Sequence, residues 1–210
     1  SVVAEPTVSD EQLTVLSRLI RRRRMTRTFA GSIGLEEIVS ICDTARFAPS
    51  AGFSQGTHFL ILMDDDLRDF WRISGAGEWF ASTNAGVLSA SAVVLVLADR
   101  RTYLERYSEN DKAGHGLESA QGWSVPFWLT DAAMAAQNLL LLVEERRWGA
   151  LFFGLFHDPR ATLRHLGVPD EVECVGAVAL GPRSAEDQPS GSPRHRARKD
   201  SAQQIHTRSW

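Results

Sequence analysis

The sequence predicts an α+β fold, and three observations carry that reading. Several stretches place apolar residues at helical spacing, the clearest running from Leu13 to Ile20 and from Leu35 to Ala48. The run SAVVLVLA (91–98) is continuous, β-branched and apolar, as a buried central strand should be. Helical and strand-like stretches mix without a regular strand–helix alternation, which argues against a parallel α/β sheet. The chain has 210 residues, enough for one sizeable core, so residues 1–210 are expected to form a single domain.

Each element has its own justification. Ser9-x-x-Gln12 forms a capping box ahead of Leu13, Leu16, Leu19 and Ile20. Asp10 and Glu11 stand in the first turn, and Arg18 and Arg21 to Arg24 in the last, a polarity that suits the helix dipole. A second helix is expected over Leu35 to Ala48, with Leu35, Ile38, Val39, Cys42 and Ala45 on one face. Pro49-Ser50-Ala51-Gly52 stops it. HFLILM (58–63) reads as a buried strand and DDDLRDFWRI (64–73) as a helix with a solvated acidic start.

Residues 99–128 show no regular pattern. They are polar, with scattered Tyr103, Tyr107, Trp123, Phe127 and Trp128. Thr130 is expected to cap a helix from Asp131 to about Arg147, ended by Gly149. Its middle, AAMAAQNLLLLV, is apolar on nearly all faces, so burial on all sides is expected, in a core or a subunit interface. GALFFGLF (149–156) is an apolar loop or strand. A short helix is expected over Pro159 to Leu166, and ECVGAVALG (173–181) reads as a strand. Residues 183–193 are a linker by composition, leading to a basic tail over 194–210.

Composition excludes several classes. The net charge is −3, too negative for a general nucleic-acid binder. No apolar run reaches the roughly 18–20 residues that span a bilayer, so no membrane segment is expected. Cys42 and Cys174 read as reduced, buried thiols, which points to a cytoplasmic protein. No zinc spacing occurs, and His58, His115, His157 and His165 are isolated, so no metal site is expected.

Three stretches could carry chemistry. GFSQG (52–56) matches the G-x-S-x-G nucleophile elbow, with Asp158 and His206 downstream in the right order. That motif needs a strand before the serine and a helix after it, and here the order is reversed. A Ser54 hydrolase is therefore a remote alternative. An arginine run at a helix end is ordinarily a solvated face, and Arg21 and Arg22 fit that reading. Arg23, Arg24 and Arg27, however, lie where the helix ends and the chain turns, where guanidiniums could bind a phosphate bidentately. RHRAR (194–198) could return to the same place. In FAPSAGFSQG (47–56), small residues allow close approach to a flat ligand, and Ser50 and Gln55 offer hydrogen bonds.

Taken together, the segments resemble the nitroreductase family of FMN-dependent oxidoreductases. The resemblance rests on R-x-x-x-R-x-F (Arg23, Met25, Arg27, Phe29), A-P-S-x-x-x-x-Q (Ala48 to Gln55), SAVVLVLA, the AxQNLLL core of the long helix, WGALFFGL, the strand ending LGPR, and a tail of the form R-x-R…H…W. Each piece is weak alone, but they occur in the family's order and span nearly the whole chain.

The resemblance implies a central, mostly antiparallel sheet flanked by helices, in an intertwined homodimer with two FMN sites built from both subunits. Carried over by position, Arg23, Arg24 and Arg27 would contact the phosphate, ribityl chain or ring edge, with Met25 among them where many members carry serine. Arg196 and Arg198 would close on the phosphate. Pro49, Ser50, Ala51 and Gln55 would come from the other subunit. The backbone around Phe153, Gly154 and Leu155 would lie near the flavin N5. Phe53, Trp123 and Phe127 are the substrate-side candidates, because residues 99–128 commonly cover that side of the fold.

No catalytic side chain is required, because the flavin carries the hydride while the protein supplies binding and orientation. The implied activity is ping-pong transfer from NAD(P)H to a nitroaromatic, a quinone or another small-molecule acceptor. A specialised flavoenzyme of the same fold is the alternative: a dehalogenase, or a flavin-degrading, ring-oxidising or peptide-oxidising type.

Overall fold

The computed structural model describes residues 14–155, 157–189, 191, 193 and 195–210. The expected capping box at Ser9 and Gln12 lies outside the described residues, as do its first-turn acids, Leu13 and Arg194. Among the described residues, four strands form one sheet: β1 (Thr57–Leu62), β2 (Ala92–Asp99), β3 (Trp148–Phe153) and β4 (Val172–Pro182). They lie in the order β1-β2-β4-β3, and every pairing is antiparallel.

The apolar run at 91–98 predicts the central strand. All eight residues of β2 are buried, since β1 and β4 flank it and helices cover both faces. Side chains alternate across a strand, so β2 feeds two cores. Ala92, Val94, Val96 and Ala98 pack on one face with Ile38, Ile41, Leu139 and Val143. Val93, Leu95 and Leu97 pack on the other with Phe70, Trp71, Phe80 and Leu163. The first face belongs to α2 (Leu35–Ala45) and α6 (Phe127–Glu145), joined by Tyr103 of α5 (Arg100–Tyr107). The second belongs to α3 (Asp64–Ile73), α4 (Ala76–Thr83) and α7 (Pro159–His165). The first helix, α1 (Val15–Arg22), is capped by Thr14, whose hydroxyl accepts the Ser17 N–H at 3.2 Å.

Several boundaries differ from expectation, for local reasons. The α2 helix ends at Ala45, not Ala48. Ala48 precedes Pro49, and a residue before proline is driven out of the helical region. The last turn tightens instead, with Phe47 N–H bonded to Thr44 O and Ala48 N–H to Ala45 O. The α6 helix starts at Phe127, behind Pro126, so Thr130 is not a cap. Its hydroxyl donates to Phe127 O at 3.0 Å inside the first turn. That helix also ends earlier, at Glu145, because Arg147 takes a left-handed φ of 60°. Gly149, expected as the stop, lies within β3.

Burial of α6 on all sides is not met within the chain. Ala133, Met134 and Gln137 form an exposed stripe. Asn138, from the AxQNLLL core, donates to Ala45 O at 3.2 Å and so caps the end of α2. Two helices have no counterpart in the expectations. The α4 helix follows Gly75, which turns the chain at a φ of 68°. The α5 helix is capped by Asp99, the last residue of β2, whose carboxylate accepts the Arg101 N–H at 2.9 Å. Among the described residues no helix is long and apolar enough to cross a membrane.

Both cysteines are free. Burial pushes the Cys42 thiol from its ordinary 9.0 up to about 12, and Cys174 up to about 11. In the unfolded chain both thiols ionise near their ordinary value, while the folded protein keeps their protons. Their contribution to stability is therefore complete below about pH 9 and is lost as pH rises toward the folded values, by up to about 1.4 kcal/mol per pH unit for each thiol. Urea midpoints measured from pH 8.5 to 10 should fall, and Cys42→Ala should make that fall shallower.

Candidate functional site

The stretch from Arg23 to Phe29 leaves α1, touches the outer edge of β3 at Met25 and Thr26, and crosses to the end of β4 at Phe29. Met25 bridges Ala150 in parallel, and the Thr26 N–H donates to Ala150 O at 2.8 Å. Thr26 is fully buried against Gly149, where an added Cβ would lie 2.6 Å from the threonine Cγ2. Glycine at this position is what lets the two backbones approach. The Met25 sulfur accepts the Phe152 N–H at 3.4 Å, so this side chain turns onto the strand. Phe29 closes the stretch by bridging Arg183 at the end of β4.

Two buried carboxylates sort the arginines. Glu144, near the end of α6, is 4% exposed. Its Oε1 accepts Arg22 Nε at 2.7 Å, and its Oε2 accepts Arg183 Nη2 at 2.9 Å. Arg183 also donates to Thr26 Oγ1 at 3.1 Å. Arg22, expected to be a plain helix-end charge, is thus part of a clamp joining α1, α6 and β4. Asp187 is the second acid. It accepts Arg24 Nη1, and its Oδ1 accepts the N–H groups of Arg27 and Thr28 at 2.8 and 2.9 Å.

Asp187 lies in the stretch that composition marks as a linker. The described part of that stretch is anchored at points: Ser184 N–H bonds Thr28 O at 3.0 Å, and a Cβ added at Gly191 would lie 3.4 Å from Arg27 Nη2. Arg21 is exposed. Arg23 differs from its neighbours. Its Nη1 is buried and has no hydrogen-bond partner among the described residues. Arg196 and Arg198 are exposed on the tail.

The loop at 47–56 is braced from two helices. Asp131 of α6 is 2% exposed, and its Oδ2 accepts both the Ala51 N–H at 2.8 Å and the Tyr103 hydroxyl at 2.9 Å. Burial, and then that hydrogen bond, push the Tyr103 phenol well above its usual range, so it remains a donor. Arg106 Nε donates to Gly52 O at 2.9 Å. Gly52 has a φ of 61°, and a Cβ there would lie 2.8 Å from the Tyr107 ring. Ser50 Oγ accepts the Gln55 N–H at 3.0 Å, while Pro49, Phe53 and Gln55 face outward.

This loop does not form a nucleophile elbow. Ser54 is 7% exposed, donates to Ala51 O at 2.6 Å, and follows a 3-10 turn with β1 after it. Asp158 caps α7 and His206 stacks on Trp210, so neither forms a triad with it.

Phe153, Gly154 and Leu155 at the end of β3 border a cavity of about 320 Å³, together with Trp79, Phe80 and His157. Phe153 stacks on Trp71 at 6.0 Å and meets Phe80 edge-on at 5.2 Å, so the walls are mainly aromatic. The expected substrate-side residues stand elsewhere in the chain. Trp123 packs with Tyr103, Tyr107, Phe127 and Trp128 against the other core, and Phe53 projects from the braced loop.

One chain therefore brings together Arg24 to Thr28, Ser184, Asp187 and the first part of β3, while Phe153 to Leu155 border the cavity at the far end of that strand. It keeps residues 47–55, Trp123 and Phe127 apart from them. Sequence reasoning missed Glu144, Asp187 and Asp131, and it missed the walls Trp79 and Phe80. Only Asp187, an acid inside a Gly/Pro/Ser stretch opposite an arginine cluster, left a usable signal.

A doubly covered antiparallel sheet with a guanidinium-rich turn along its edge strand defines an α+β class of known topology. A family model described as the nitroreductase family matches residues 20–182, and the chain belongs to that family. A protein of Archaeoglobus fulgidus, named as a candidate NADH dehydrogenase/NAD(P)H nitroreductase, is 26% identical over 81% of this chain and 87% of its own length. The nitroreductase CinD of Lactococcus lactis, solved with chloramphenicol, superposes with a TM-score of 0.69 at 17% identity, covering 92% of this chain and 99% of that one. A candidate nitroreductase of Desulfovibrio desulfuricans, solved with FMN, gives a TM-score of 0.65 at 22% identity, over 94% and 99% of the two chains. These structures share the fold.

Removing the Asp131 carboxylate strands the part-buried Ala51 N–H and the buried Tyr103 hydroxyl. Asp131→Ala should cost about 2–3 kcal/mol in urea unfolding. Limited proteolysis should then cut first within residues 47–56.

Proposed function

We propose that this protein is an FMN-dependent NAD(P)H oxidoreductase that acts as a homodimer and reduces a flat, apolar acceptor of the nitroaromatic or quinone type. The observation that carries the reading is Arg23. A buried guanidinium nitrogen without a partner among the described residues is costly unless an anion meets it. Arg23 precedes a stretch that meets β3 at Ala150, and the far end of the same strand borders the apolar cavity. A phosphorylated, planar cofactor matches that pairing of cation and apolar slot, so the residues fit FMN. The FMN complex of the Desulfovibrio protein and the nicotinamide donor in the Archaeoglobus protein's name support the same reading.

When bound, FMN would carry the hydride between donor and acceptor. This chain's residues would bind and orient it. Arg23 would take the phosphate, with Arg27 beside it and Arg196 and Arg198 closing from the tail. Met25, its sulfur held by Phe152, would contribute backbone alone. Backbone at Phe153, Gly154 and Leu155 would meet the ring, and Trp79 and Phe80 would keep water from that end. Pro49, Ser50, Ala51, Gln55, Phe53, Trp123 and Phe127 would reach the site from a second copy of the chain. Support for that copy is the apolar surface left open: Val15, Leu16 and Ile20 on α1, Leu35 and Val39 on α2, and Met134 on α6 are all at least 40% exposed.

Purified protein should show flavin absorption bands that bleach on anaerobic addition of NAD(P)H. Protein that is dimeric, colourless and takes up no FMN would overturn the proposal. Steady NAD(P)H consumption with simple nitro or quinone acceptors would count against a specialised dehalogenating or ring-oxidising enzyme.

A further inference from the structure

Asp187 needs an explanation. An acid beside an anion site repels the anion, so this carboxylate is present in spite of that penalty. Its side chain is 1% exposed and fully committed. Oδ1 receives the N–H groups of Arg27 and Thr28, and Arg24 is held twice, by the carboxylate and by the Asp187 carbonyl oxygen at 3.2 Å. The pair Asp187–Arg24 is electrically neutral, so it adds no net charge at the site.

Its effect is geometric. Arg22 is clamped by Glu144 and Arg24 by Asp187. Arg23 lies between them at the end of α1, its own N–H bonded to Leu19 O at 2.9 Å. Both neighbours are fixed by buried acids, and Asp187 also ties down the backbone at Arg27 and Thr28, so the chain that carries Arg23 is set on both sides before any ligand arrives. Preorganisation of this kind removes an ordering cost from binding.

We propose that Asp187 is the positioning residue of the phosphate site: it commits Arg24, shapes the turn from Arg24 to Thr28, and leaves Arg23 as the guanidinium that takes the phosphate of FMN. The assignment rests on the FMN reading above. The family resemblance, by contrast, places Arg23, Arg24 and Arg27 together against the phosphate, ribityl chain or ring edge without dividing the roles.

Two probes separate positioning from folding. FMN and riboflavin differ only in the phosphate, so their affinity ratio reads the phosphate site, while a loosened fold weakens both. Full-length protein freed of flavin is titrated with each, following flavin fluorescence. Arg23→Ala should weaken FMN by about 10- to 100-fold, the range of a lost charge-assisted hydrogen bond, with little change for riboflavin. Arg24→Ala, made together with Asp187→Asn so that no bare carboxylate is left beside the phosphate, should reduce the FMN preference less. Asp187→Ala should weaken FMN by about tenfold more than riboflavin, and Asp187→Asn should recover most of that loss, because its amide oxygen still accepts both N–H groups. The proposal is overturned if Arg24→Ala with Asp187→Asn loses as much FMN preference as Arg23→Ala, or if Asp187→Ala weakens both flavins equally. Should Asp187→Ala fail to fold, the order of the two arginine variants decides. Wild-type protein that binds neither flavin overturns this assignment together with the functional reading; wild-type binding with the arginine order reversed overturns the assignment alone.

Discussion

A carboxylate that leaves water must bring its cation with it, and much of this molecule's architecture answers that constraint. Glu144 and Asp187 are both buried, and each takes an arginine from the same short helix end. An unpaired buried charge is strongly destabilising, so the two acids dictate where Arg22 and Arg24 can lie. Through Arg183, Glu144 also reaches Thr26 and the carbonyl of Trp148, tying the ends of α1, α6 and β4 to the start of β3. The basic run is therefore not one uniform patch. Within it, the neutralised Arg22 and Arg24 flank a differently placed Arg23, and Arg21 is exposed.

The sheet supplies the frame on which this sorting happens. Because β2 is buried along its whole length, the faces above and below it are separate cores. The aromatic cavity belongs to one and the Trp123 cluster to the other. The two lie on opposite faces of the sheet, and α1, α2 and α6 leave apolar side chains open on their outer sides.

How much of this was legible follows from the kind of signal each feature leaves. The long buried strand, α3 and α7 have strong local patterns, and their positions match expectation closely. Helix ends were less legible, since Pro49 and Pro126 act through steric effects one or two residues away from the apolar pattern. The α5 helix was hidden because its stretch RRTYLERY is polar on most sides, and its cap, Asp99, sits inside a strand. At the site, the arginines could be read as a class but not ranked. Ranking them needs the partners Glu144 and Asp187, which lie 122 and 163 positions away, and no local period encodes such a pairing. Met25 is similar: its sulfur contact with Phe152 exists only once β3 is in register.

The distance between Arg24 and Asp187 bears on when the site comes into being. Contacts of long sequence separation close the largest loops and tend to form after local ones. The helix end carrying Arg23 emerges early from the ribosome, yet the acid that shapes it follows only after all four strands. A partly synthesised chain can hold α1, β1 and β2 and still lack the acid that pairs with Arg24. The arrangement of charges around the end of α1 is thereby deferred until the chain is nearly whole.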